Sequence, residues 1–275
     1  MVGKTCSAMW FSVFKISIIF GSKSKEQLMK YTMPKWLQLL VRRFPGIRKS
    51  IANFKSVQSA NHCEFDGISF QFDSRFMDRK RFVAIAAGAI ENDEVTVAQR
   101  FLNKDDIIVE FGSGLGIAAA RVNDVIKPQQ HFCFDANPLV IEYAEQLFRL
   151  NDMHITVKNY ALGNGKRLPF YALDDYLLSS FHKPEGRTDY NQIDVPTIKC
   201  QDVIDTLSPT AIFCDIEGAE LDYLDPENFG PTKTIVVELH PSVYGIEGIK
   251  QFYKKIEKHG FKWRLTKGDT HCFTK

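Results

Sequence analysis

The run Ile107-Ile108-Val109-Glu110-Phe111 passes straight into Gly112-Ser113-Gly114-Leu115-Gly116, and Ala-rich, helix-forming text follows to Val125. A short β-branched segment that opens onto glycines and then a helix marks a buried strand at the carboxyl edge of a parallel sheet. The rest of the chain repeats this alternation. Strands are expected at residues 131–135, 154–159, 211–215 and 234–240, with helices at 138–150 and 242–259. Residues 261–266 and 270–274 read as a closing antiparallel pair. Asn164-Gly165 predicts a hairpin turn, and residues 167–200, of mixed strand and loop character, read as an insertion. Strands separated by helices of about 10–15 residues imply βαβ units, so the fold class is α/β, Rossmann-like, with a mostly parallel sheet.

Composition matters for the first 60 residues. There, eleven Lys and Arg stand against one acid, Glu26, while the remainder carries 24 basic and 32 acidic side chains. The domain reading is therefore a basic, partly amphipathic leader at 1–60 and one globular domain at 61–275. Residues 7–20 are apolar but interrupted by Lys15, and 14 residues are too short for a hydrocarbon core that needs about 20. Residues 34–43 put Trp36, Leu37, Leu40 and Val41 on one side and basic residues on the other. That pattern suits an interfacial helix on anionic lipid, a helix packed on the main domain, or simply a solvated basic arm. The six cysteines are scattered with no CxxC pair, which reads as reduced thiols in a cytoplasmic chain, peripheral to a membrane if the leader binds one.

The spacing of the glycine loop discriminates between cofactors. A dinucleotide fingerprint, GxGxxG, would put its third glycine at 117, where Ile117 stands. The loop is GxGxG, preceded by the acid Glu110 at the strand end. This suits S-adenosylmethionine (SAM), which has no pyrophosphate to seat on a helix N-terminus. Gly112, Ser113, Gly114 and Gly116 let the backbone approach the donor's amino-acid end, and Glu110 supplies charge near its ammonium group. Asp135, 23 residues after Gly112, is placed to accept the ribose hydroxyls. An NAD-dependent Rossmann oxidoreductase is the alternative on fold alone.

A second motif then becomes legible. Asp215-Ile216-Glu217-Gly218-Ala219-Glu220 closely resembles the D-[VI]-E-G-A-E signature of the FkbM-type methyltransferases. Glu238-Leu239-His240-Pro241 resembles the same family's next strand end. Residues 108–116 are similar to its SAM loop, Phe134-Asp135-Ala136-Asn137-Pro138 to its ribose-binding strand end, and Asn159-Tyr160-Ala161-Leu162 to its third-strand turn. The resemblance runs from about Phe70 to the C-terminus. It implies a class I methyltransferase fold: a seven-stranded sheet with helices on both faces and an antiparallel C-terminal strand. It also implies SAM as cofactor, with Ala136, Tyr160, Ala161 and Asp215 joining the loop as its contacts. The expected reaction is O-methylation of a sugar, glycan or polyketide-like hydroxyl. A non-catalytic, membrane-associated protein with a decayed methyltransferase domain is the alternative outside enzymes.

Methyl transfer to a hydroxyl needs in-line alignment and a base for the departing proton. His240, with an unperturbed pKa of about 6.5, is the leading candidate, with Asp215 or Glu217 orienting it or contacting the acceptor. An equal reading has His240 fixing the turn before Pro241, and Glu220 reads as a polar helix start. Asp215, Glu217 and His240 have the donor types to hold a divalent metal. No Asp-Asn pair of the catechol-type enzymes follows, so no metal is expected. The position of the [DN]-P-P-[YF] motif of nucleic-acid amino-methyltransferases reads Asp-Ile-Glu-Gly, and no nucleic-acid partner is expected. Acceptor specificity is assigned to the insertion, with Tyr171, Tyr176, Phe181, His182 and Tyr190.

Overall fold

A computed structural model describes residues 60–173, 179, 181, 186, 188 and 190–275. The expectations for the leader, and for Tyr176 and His182, lie outside the described residues. In chain order the elements are β1 (His62–Phe65), β2 (Ile68–Gln71), α1 (Arg79–Ala86), α2 (Asn92–Phe101), β3 (Ile107–Phe111), α3 (Ile117–Ile126) and β4 (Gln130–Phe134). There follow α4 (Pro138–Leu150), β5 (Thr156–Lys158), β6 (Ala161–Leu162), β7 (Leu168–Leu173), β8 (Tyr190–Val195), β9 (Thr197–Ile198) and α5 (Cys200–Leu207). The chain closes with β10 (Ala211–Cys214), α6 (Glu220–Tyr223), β11 (Thr234–Glu238), α7 (Pro241–Lys258), β12 (Lys262–Lys267) and β13 (Thr270–Thr274).

Seven strands form one sheet in the order β12-β13-β11-β10-β3-β4-β5. The five strands from β11 to β5 run parallel, and β13 enters antiparallel between β11 and β12. This is the Rossmann-like class I methyltransferase arrangement that the strand pattern and the resemblance implied. The period of two explains how helices cover both faces. Val109, Phe111, Ile212, Cys214, Ile235 and Val237 point to the layer of α5 and α7. Their neighbours Ile108, Ala211, Phe213 and Val236 point to that of α2 and α3. All ten are buried, and each such aliphatic or aromatic side chain contributes roughly 1.5–3 kcal/mol by leaving water. A strand buried on both sides must read as a continuous apolar run, which is why these were visible in the text.

β3 is flanked by β4 on one side and β10 on the other, so successive connections diverge at its carboxyl end. Such a switch point opens a crevice beyond the strand ends. α4 starts there, with Pro138 in its first turn and Asn137 capping it by accepting the Leu139 N–H at 3.0 Å.

Two local features depart from expectation. Asn164-Gly165 does not join a hairpin: β6 pairs in parallel with β9, and β7 pairs antiparallel with β8. The turn is real (Lys166 N–H donates to Asn164 Oδ1 at 3.0 Å), but its flanking strands pair with β9 and β8 rather than with each other. Conversely, Asp66-Gly67 makes a two-residue hairpin between β1 and β2, with φ of +53° and +79°. An Asp-Gly pair between short apolar strands is the type I′ signal, and residues 62–71 carry it.

Candidate active site

Beyond Phe111 the chain turns through Gly112, Gly114 and Gly116 at φ of 82°, 52° and 75°. These are left-handed values that side chains adopt only at a cost. Gly112 and Ser113 donate their N–H groups to Phe134 O at 2.8 and 3.3 Å, drawing the loop over the end of β4. Asp135, the next residue after β4, accepts from the Gly114 N–H at Oδ2 and the Asn137 N–H at Oδ1, both at 2.8 Å. Burial lifts its carboxyl to about 6 even though these backbone donors pull the other way. Asn159 braces the same corner, its Nδ2 donating to Asp135 O and Ala136 O at 2.9 Å each.

These elements border a crevice of about 690 Å3, open mouth included, within the size range of small-molecule sites. Gly112, Gly114, Asp135, Ala136, Tyr160, Ala161, Asp215 and Glu217 all face it. Phe134, Val140 and Leu162 supply an apolar wall, and Phe170, Ser179 and Phe181 close the rim on the insertion side. Of the aromatics expected to set acceptor specificity, Phe181 is the one among the described residues that borders the space, joined there by Phe170. Tyr171 and Tyr190 pack on one another, edge to face, with ring centres 5.4 Å apart.

Four of the expected site residues lie behind the walls. Glu110 turns its carboxylate into the α3 layer, where Oε2 meets His131 Nε2 at 3.1 Å and the Cys133 thiol at 4.0 Å. The sheet's period sends the side chain of this strand residue sideways rather than outward. Ser113 is buried with an unpartnered hydroxyl, and Gly116 gives room to Phe148, whose ring a Cβ would meet at 2.7 Å. His240 sits behind Asp215 and Glu217.

The carboxylates and imidazole at the ends of β10 and β11 form one cluster. His240 Nε2 lies 3.4 Å from Glu217 Oε2 and 3.6 Å from Asp215 Oδ1, and Nδ1 lies 3.1 Å from Glu220 Oε1. Glu220 is fully buried and is the organiser. Its Oε1 accepts the Ile216 and Gly218 N–H groups at 3.0 and 3.1 Å, and its Oε2 accepts the Tyr244 hydroxyl at 3.3 Å. Tyr244 in turn accepts the His240 N–H at 2.6 Å. Glu217 and Gly218 take φ of 55° and 98°, a turn that aims Glu217 at the crevice.

This environment changes what His240 can do. Burial disfavours its charged form, but hydrogen bonds to Glu217 and Glu220 and the field of Glu220 and Asp215 outweigh burial and lift it to about 11. This balance favours the charged imidazole in the ligand-free cluster. Asp215 moves the other way in function: burial, then Glu238 and Glu217, push its carboxyl well above the usual range. Burial and the adjacent Glu94 raise Glu238 to about 8. Protons are thus shared among neighbouring groups near neutrality.

Two side-chain groups bring potential metal-ligating atoms within 4.8 Å of one another among the described residues: Asp215, Glu217 and His240, and the buried Glu110, His131 and Cys133. Sequence reasoning passed over Glu91, which borders the crevice from the start of α2. It belongs to no glycine loop or strand end, so only the packing of α2 reveals it. Sequence reasoning also ranked Glu220 low, because burial of a helix-start acid leaves no mark in the local text.

No family model matches the chain, and no curated protein matches it. Among solved structures, TYW2 of M. jannaschii in complex with AdoMet is similar at 13% identity and TM-score 0.42, covering 77% of this chain and 82% of that one. TrmK of M. capricolum with S-adenosyl-homocysteine is similar at 10% identity and TM-score 0.40, covering 66% of each. Methyltransferase FkbM from Methylobacillus flagellatus KT is similar at 15% identity and TM-score 0.41, covering 84% of this chain but 60% of that one.

Proposed function

We propose that the chain is a SAM-dependent methyltransferase that methylates a hydroxyl of a sugar, glycan or polyketide-like small molecule. The observation that carries this reading is one juxtaposition. A glycine-rich loop and the carboxylate of Asp135 share a crevice with Asp215 and Glu217, which His240 backs. The resemblance of Asp215 to Glu220 to the FkbM-type signature supports the same reaction.

The residues present fit the donor. A Cβ at Gly112 would collide with the Asp215 carbonyl, so the glycine keeps the loop tight against the end of β10, and Asp135, at the crevice, accepts one backbone N–H at each oxygen with lone pairs left for a diol. Ala136, Tyr160 and Ala161, with the Phe134 and Val140 wall, suit a flat base. When bound, SAM supplies a methyl group on a cationic sulfur, activated for in-line displacement. The chain's part is to orient the acceptor hydroxyl, exclude water and take one proton. Asp215 and Glu217, which face the crevice, receive that proton; the His240 imidazolium, locked by Glu220, positions them. Phe181 offers an aromatic face for the acceptor.

Calorimetric titration with S-adenosylhomocysteine and with NADH decides the cofactor. The expected result is heat with the first and none with the second. NADH alone binding would assign an oxidoreductase, whose third glycine is here the buried Ile117. Binding of neither by folded protein would assign a non-catalytic role. The basic leader's partner is an anionic membrane surface, tested by liposome flotation with and without residues 1–60; no helix among the described residues is long and apolar enough to span a bilayer.

A further inference from the structure

Glu91 stands immediately before α2 with φ 54° and ψ 36°, a left-handed conformation that costs a non-glycine residue energy. Arg121 of α3 maintains it. Nη1 donates to Ile90 O at 3.0 Å and to Glu91 O at 3.3 Å, while Nη2 binds Asp66 Oδ2 at 3.1 Å and Asn92 Oδ1 at 2.9 Å. The consequence is a carboxylate bordering the crevice that Gly112 and Gly114 also border. Its Oε2 is buried and meets no donor from the described residues. A buried acceptor left unmade costs stability that nothing inside the protein returns. Nη1 and Nη2 of Arg121 are committed to two carbonyls and two side chains, and its buried Nε makes no hydrogen bond to Glu91 or to any other described residue. Glu110, the acid expected to meet the donor's ammonium group, is turned away toward His131.

We propose that Glu91 binds the α-ammonium group at the amino-acid end of the methyl donor, an assignment that rests on the methyltransferase reading. An ammonium group brings three N–H donors and a positive charge, which is what the free oxygen lacks. The glycine loop leaves the approach to it bare.

The same environment links binding to pH. Burial raises the Glu91 carboxyl to about 8; Glu94 on its own helix and Glu110 from β3 add to the rise. The Ala118 N–H and Arg121, both on α3, oppose it. At pH 7 the ligand-free carboxyl is largely protonated. Seating an ammonium group on the carboxylate releases that proton to the buffer.

The test is calorimetric titration of the full chain with two probes. S-adenosylhomocysteine carries the amino-acid end, whereas 5′-methylthioadenosine keeps the nucleoside and sulfur but lacks it. Glu91→Gln is expected to weaken S-adenosylhomocysteine by ~10–100-fold, the range for a charged hydrogen bond, and to leave methylthioadenosine unchanged. The wild-type protein should also release a proton with S-adenosylhomocysteine at pH 7, read from buffers of different ionisation enthalpy, and Glu91→Gln should not. Should Glu91→Gln fail to fold, Glu91→Asp is expected to weaken the first probe alone. Equal weakening of both probes, or undiminished affinity for the first, overturns the assignment. If wild-type protein binds neither probe, the methyltransferase reading itself fails and takes this one with it.

Discussion

Gly112 approaches Asp215 so closely that a Cβ built on it would lie 1.5 Å from the Asp215 carbonyl oxygen. The Asp215 N–H donates to Phe111 O at 2.9 Å just below, so the end of β10 is laced to the start of the glycine loop. Cofactor loop and acid cluster are one backbone unit. Gly112→Ala must move that backbone and also adopt φ of 82°. It is expected to cost ~3 kcal/mol, from left-handed strain and overpacking together, with loss of S-adenosylhomocysteine binding. Urea unfolding and titration check both.

Asp135→Ala leaves the Gly114 and Asn137 N–H groups without their acceptor. Stability should fall by about 1–3 kcal/mol, and S-adenosylhomocysteine should bind at least tenfold more weakly. A full-affinity Asp135→Ala protein would remove this residue from the site.

Stability should decline as pH rises. Asp135, Glu91, Glu238 and His240 are all raised in the folded protein, to about 6, 8, 8 and 11. The folded state then binds more protons than the unfolded chain, and stability falls with increasing pH. The carboxyl contributions are complete below about pH 4 and are lost through pH 6–8. That of His240 is complete below about pH 6.5 and is lost toward pH 11. Ligand-free protein is expected to melt several degrees lower at pH 8.5 than at pH 6. Since an ammonium group favours an ionised Glu91, S-adenosylhomocysteine, which carries one, should raise Tm more at the higher pH. Differential scanning calorimetry reads both.

His240→Gln removes the imidazolium that Glu217, Asp215 and Glu220 surround. The variant should lose the high-pH part of that stability profile, and turnover should drop ~100-fold with KM for the donor little changed, since His240 lies behind the crevice wall. Asn or Gln at Asp215 or Glu217 should instead shift the pH–rate profile, because those groups take the proton.

An imidazolium in the Asp215–Glu217 cluster balances the charge that would otherwise draw a divalent cation. Turnover is therefore expected to survive dialysis against EDTA. Loss of activity restored by Mg2+ or Mn2+ would assign the cluster to metal instead.

Most of the fold was legible because parallel strands covered on both faces must be apolar at every position. Thr234–Glu238 and Ala211–Cys214 announce themselves in the text, and α4 is bounded by its own Pro138 and its Asn137 cap. The insertion was not, because Ala161–Leu162 and Leu168–Leu173 pair with strands far along the chain, and a local turn signal says nothing of distant partners. At the site, the glycine spacing, Asp135 and the Asp215–Glu220 element were readable as local patterns.

The amino-acid order by itself determined the strand–helix alternation, the bare loop and the acids at the strand ends, since each depends on residues adjacent in the chain. Only the tertiary structure decided which acids face the crevice and which are charged there. Sheet parity turned Glu110 inward, the packing of α2 on Arg121 brought Glu91 to the wall, and the carboxylates of Glu217 and Glu220 outweighed burial to favour a charged His240. Orientation and protonation depend on neighbours distant in sequence, through desolvation and short-range charge, and no window of residues contains those neighbours.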